Sequence, residues 1–181
     1  MLEDGVLLAL PVVDRATKIA HLTRSNIPHV ESVVRILTSV QVSDEAIAAA
    51  WAHDAVEKRK IEMPKIRSLF PGLAVSSIIY RVTAPGRGAS WVDHTSAKRG
   101  LISGMSNDAL LVKAADVIAD LDTALRHDAD FQTLVPNKAL FLQDMEQTVQ
   151  ALTYHWKRHP FNEMLESRVR KLSIAFANAE R

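Results

Sequence analysis

Four side chains in this sequence have the types needed to hold a divalent metal: His29, the adjacent pair His53-Asp54, and Asp116. Buried imidazole and carboxylate are costly unless paired or bound to an ion. Yet His53, Asp54 and Glu57 stand in the second half of S-D-E-A-I-A-A-A-W-A-H-D-A-V-E-K, Ser43 to Lys58. Its alanine run is apolar on most faces, the pattern of a buried helix. Asp116 stands in L-L-V-K-A-A-D-V-I-A-D-L, where the apolar pattern again predicts burial. His29 follows Pro28 on an earlier helix. Two nitrogens and two carboxylates from three helices would make an open site for Mn²⁺, Fe²⁺, Zn²⁺ or Mg²⁺. Adjacent helical side chains point about 100° apart. His53 and Asp54 can therefore share an ion only if it lies close against their helix and other helices close the shell. The alternative for the four residues is a buried hydrogen-bond network without metal.

The elements that must position them read as helical almost throughout. Val13, Ala16, Ile19 and Ala20 give Val12 to Thr23 helical spacing. Asn26 is a candidate cap for a second helix, with Pro28 tolerated in its first turn and Val30, Val33, Val34 and Leu37 as its buried stripe. Ser43 caps the alanine-rich helix, and Asp44 and Glu45 complement its dipole. A short helix ends near Phe70, and Pro71-Gly72 breaks the chain. Leu73 to Thr83 is rich in residues that favour strand, but helix is expected there, because its surroundings are helical and no partner strand is visible. Residues 84 to 89 form a loop. Helices should follow from about Asp93 to Met105, from Asp108 to His127 after a cap at Ser106 or Asn107, from Pro136 to His159, and from Phe161 to Asn178. Pro160 forces the last break. The expectation is an all-α bundle in one domain over 1–181, with a core at about 12–127 and a C-terminal helical extension at 128–181.

Composition excludes several chemistries. The 181 residues contain no cysteine, which removes disulfides, thiolate zinc sites and a cysteine nucleophile. Net charge is +1 with the signs interspersed, so no strongly basic face points to nucleic acid. No apolar run is long enough to span a bilayer, and the leading charges are acidic, unlike a signal peptide. A soluble cytoplasmic protein is expected. Trp51 reads as core. Trp91 and Trp156 suit the domain edge or a contact between copies in a homo-oligomer. His155 and His159 have a metal-like spacing, but beside Lys157 and Arg158 they read as cations at a helix C-terminus.

Four blocks carry a resemblance to a known family: V-E-S-V-V-R-I-L, A-A-A-W-A-H-D-A-V-E-K, R-S-L-F-P-G-L-A-V-S-S-I-I-Y-R-V-T, and L-L-V-K-A-A-D-V-I-A-D-L-D-T-A-L. In this order, over roughly Ala16 to His127, they resemble the HD-domain metal phosphohydrolases, and most closely the RelA/SpoT-type (p)ppGpp hydrolase branch. The resemblance implies an HD-type helical bundle, with His29, His53, Asp54 and Asp116 as ligands of a divalent ion, usually Mn²⁺. It implies hydrolysis of a nucleotide phosphoester, most specifically removal of pyrophosphate from a ribose 3′ position. Glu57 would handle the attacking water. Asp120 and Thr123 would face the nucleotide, Lys98 and Arg99 its phosphates, and Arg24 would stand for a basic residue ahead of the first ligand.

The chain departs from that pattern at three points. Lys58 stands where the family has a second carboxylate, which would let it hold leaving phosphates together with Lys98 and Arg99. Asp120 stands where the family has asparagine. The segment from Arg24 to His29 is shorter than the family's, and its paired lysine is absent. All three bear on the substrate, and leave open an HD nucleotidase or phosphodiesterase of other specificity, or an inactive metal- or nucleotide-binding module.

Overall fold

The structure is a computed structural model that describes residues 4–83, 99–126, 138–157 and 159–179. Every regular element among them is a helix: α1 (Asp4–Leu8), α2 (Val12–Leu22), α3 (Ile27–Leu37), α4 (Asp44–Glu57), α5 (Met63–Leu69), α6 (Val75–Thr83), α7 (Asn107–Arg126), α8 (Lys138–His155) and α9 (Asn162–Ala179). A further helical segment covers residues 99–102. The chain groups into two compact units, Met1–Lys113 and Ala114–Arg181.

The first unit is built around α4. Ala46, Ala48, Ala49, Ala50, Ala52 and Ala55 are wholly buried, so the helix is enclosed on nearly all sides. Helices α2, α3 and α6 pack on it. Small side chains make that possible, because methyl groups let neighbouring backbones come close. Ser43 starts α4 as its sequence predicts: Ala46 N donates to Ser43 Oγ at 3.1 Å. The same hydroxyl donates to Asp108 Oδ2 at 2.6 Å, which ties the start of α4 to the start of α7. Ser43→Ala is expected to cost about 1–2 kcal/mol of stability, at the upper end for an N-cap because two bonds are lost. Urea unfolding of the variant measures this.

Helix α6 forms despite its strand-favouring residues. Val75, Ile78, Ile79 and Val82 recur at helical spacing and all are buried. Packing against α4 and α5 outweighs local preference here. Glu45 Oε1 accepts from Ala74 N at 3.2 Å and holds the entry to this helix. Gly72, at φ +73°, makes the left-handed turn before it.

Arg15 lies on the buried side of α2. It is only 9% exposed. Its guanidinium donates to the carbonyls of Leu7 (2.9 Å), Leu8 (2.8 Å) and Leu10 (2.8 Å), and also to that of Leu69. It lies 5.4 Å from the Phe70 ring centroid. Leu8 and Leu69 are the last residues of α1 and α5, whose terminal carbonyls have no partner within their own helices.

In the second unit α8 packs on α9, with Leu152, Phe161, Leu165 and Leu172 buried. Arg168 Nε donates to Asp122 Oδ1 at 2.9 Å. The helix expected to reach His159 ends earlier, at His155. His159 is not an exposed terminal cation: it is buried, and its Nδ1 accepts from Phe161 N at 2.9 Å, with Trp156 edge-on at 4.1 Å between centroids. A ring nitrogen that accepts a backbone N–H carries a lone pair, which marks this imidazole as neutral.

Candidate metal centre

The positions of the candidate ligands follow from how α2 ends and α3 begins. Helix α2 closes with Arg24 in the left-handed region at φ 51°, Arg24 N donating to His21 O and Ser25 N to Ala20 O. This tight cap turns the chain sharply. Asn26 precedes α3, but its side chain makes no capping bond. Its backbone N–H donates instead to Asp54 Oδ2 at 2.8 Å, so α4 supplies the acceptor. Pro28 sits in the first turn of α3, and His29 follows it, half-buried.

One ligand atom each of His29, His53 and Asp116 lie within 4.8 Å of one another. The two imidazole centroids are 5.9 Å apart. His53 is 1% exposed and Asp116 5%. His53 Nδ1 lies 2.7 Å from Ala50 O. A carbonyl can only accept, so Nδ1 carries the hydrogen and Nε2 the lone pair. A metal-binding histidine commonly holds its other nitrogen in this way, which fixes both tautomer and ring orientation. Two imidazole nitrogens suit Fe²⁺ or Zn²⁺ better than Mg²⁺, which favours oxygen ligands, and the carboxylate oxygen also suits Mn²⁺.

Asp54 is brought to the same end of α4 but stands outside that trio. Its Oδ2 accepts from Asn26 N, and its Oδ1 lies 2.9 Å from Lys58 Nζ one turn on. Burial raises the pKa of this carboxyl. The Lys58 hydrogen bond, the Asn26 N–H and the charge of Lys58 outweigh that and hold it below the ordinary aspartate value. The i,i+4 order of acid then base is favourable on a helix, and this spacing is the signal in the sequence that marks the pair.

The other candidates are placed as follows. Glu57 is the last residue of α4 and half-buried. Lys58 is its C-cap, with a side chain 47% exposed. Arg24 is exposed, and Arg99 is half-buried in the helical segment 99–102. Asp120 and Thr123 lie one and two turns beyond Asp116 on α7, both half-buried, and Thr123 Oγ1 donates to Ala119 O at 2.8 Å. Lys98 and Trp91 lie outside the described residues, as does the loop expected at 84–89. Trp51 is half-buried rather than core, its ring 6.3 Å from that of His21.

No helix among the described residues is long and apolar enough to cross a membrane. No protein-family model matches the chain, and the search of curated proteins finds no match.

Proposed function

We propose that this protein is a cytoplasmic, metal-dependent phosphohydrolase that acts on a small nucleotide, most specifically as a (p)ppGpp 3′-pyrophosphohydrolase of the HD type. The observation that carries the reading is the approach of His29, His53 and Asp116 to within 4.8 Å in a buried setting. Mn²⁺ is the favoured ion. His29, His53 and Asp116 would hold it, with Asp54 as a fourth ligand once its oxygen is released from Lys58.

A divalent ion held there would supply Lewis acidity, enough to acidify a water and to neutralise charge on a phosphoryl oxygen. The protein's own groups do the rest. Glu57, one turn after His53, orients that water or takes its proton. Lys58 and Arg99, with Lys98, hold the phosphates that leave, through charge-assisted hydrogen bonds. Arg24 supplies a further cation at the entry to α3. Asp120 and Thr123 contact the nucleoside.

A nucleotidase or phosphodiesterase of other specificity is favoured by two particular residues, Lys58 and Asp120, which stand where the resembled family has aspartate and asparagine. Elemental analysis of the purified protein, followed by turnover of ppGpp, nucleoside monophosphates and cyclic nucleotides with Mn²⁺, tests the proposal. Metal with ppGpp turnover supports it. Metal with turnover of another substrate transfers it to the second reading, and metal without turnover leaves an inactive binding module. If the missing carboxylate is what limits ppGpp hydrolysis, Lys58→Asp raises that rate, measured by release of pyrophosphate.

A further inference from the structure

Lys58 stands beside the metal centre proposed above, and the role assigned to it below rests on that centre. Asp54 is almost wholly buried, and each of its oxygens has a partner from the protein: Asn26 N on Oδ2 and Lys58 Nζ on Oδ1. The backbone N–H is fixed in the floor of the site. The ammonium is different, since it sits on a flexible four-carbon stem whose side chain is about half exposed.

The stem is rooted at the C-cap of α4. Lys58 N donates to the carbonyls of Asp54 and Val56, Arg59 adopts φ 55°, and Lys60 N donates to Ala55 O at 2.8 Å. The root is therefore held while the tip can leave. Two attractions keep the tip in place, the Asp54 carboxylate and the negative end of the helix dipole.

We propose that Lys58 Nζ is a resident counter-cation that competes with the divalent ion for Asp54 Oδ1. The ammonium has to leave that oxygen before Asp54 can complete the ligand set. Metal uptake is thereby weakened, and it frees a positive charge beside the centre. That charge is then available to a phosphate oxygen of the substrate, so loading of the site and capture of an anionic substrate are linked through one side chain. An aspartate at this position could not do this, because it would compete for the ion as a ligand instead of competing with it.

The test is the affinity of the full-length protein for Mn²⁺, read from the loss of the free-ion signal in electron paramagnetic resonance. Wild type, Lys58→Met and Lys60→Met are compared. Methionine keeps the apolar stem and removes the charge. Lys60 is an exposed cation two residues on and controls for the general field of the basic segment. Lys58→Met is expected to tighten Mn²⁺ binding on the order of tenfold, the scale of one charge-assisted hydrogen bond. Lys60→Met is expected to change it by less than about twofold, because exposed charges are screened. Equal affinity in wild type and Lys58→Met overturns the proposal while leaving the metal centre standing. Equal tightening in both variants overturns it too, because the effect would then be a field and not a contact. Absence of Mn²⁺ binding in all three proteins overturns both the centre and this inference.

Discussion

Asp116→Ala is expected to empty the metal centre and abolish hydrolysis while the fold survives. Asp116 is the sole carboxylate in the trio within 4.8 Å, and it is buried beside two imidazoles. Without it the two imidazoles carry no charge to offset a divalent ion, and the one further carboxylate nearby, Asp54, is already engaged by Asn26 N and Lys58 Nζ. The loss in metal affinity should exceed the roughly 10- to 100-fold that removal of an outer supporting group costs. Alanine fits the helix, since α7 already carries Ala114, Ala115 and Ala119 around this position. Asp120→Ala, one turn on, is the matched control: it should keep the metal and alter KM. Metal content by elemental analysis and turnover by pyrophosphate release measure both variants. An Asp116→Ala protein with undiminished metal would remove that residue from the ligand set.

The second large effect falls on stability. Arg15→Met is expected to destabilise the fold by about 4 kcal/mol, a large part of the roughly 5–15 kcal/mol available to a domain. Methionine fills the same space but leaves the carbonyls of Leu7, Leu8, Leu10 and Leu69 without the guanidinium that now bonds to all four. Two of these carbonyls end helices, where the negative pole of the dipole adds to the attraction. Arg15→Lys should recover only part of the loss, because a single ammonium cannot span both helix ends. Chemical unfolding gives the comparison. A loss below about 1 kcal/mol in Arg15→Met would mean that water replaces the guanidinium at little cost.

Much of the candidate site was legible because its residues break a pattern. His53 and Asp54 are polar within a run of alanines, and Asp116 is polar within an apolar helix. Such residues need a partner wherever they are buried, and the structure buries all three. The helices were legible for a related reason: apolar spacing marks the face that must be covered, as in α6, where Val75, Ile78, Ile79 and Val82 override a local taste for strand.

What could not be read depends on contacts between distant segments. Arg15 looks like any charged residue on an amphipathic helix, and only the meeting of α1, α2 and α5 reveals that it is enclosed by carbonyls. Asn26 has the side chain of a cap, yet it is its backbone N–H that is used, because the turn at Arg24 aims it at Asp54. Helix α1, five residues long, is too short for a periodic signal. The Lys58–Asp54 pair lies between these cases: its spacing was visible, but its occupation of a candidate ligand was not.

The most direct test of the central claim is a crystal grown or soaked with Mn²⁺ and measured at the manganese absorption edge. A single anomalous peak is predicted at bonding distance, about 2.0–2.2 Å by analogy with zinc–nitrogen and zinc–oxygen bonds, from a ring nitrogen of His29, Nε2 of His53 and a carboxylate oxygen of Asp116. A peak at any other place, or none under saturating Mn²⁺, would contradict the account.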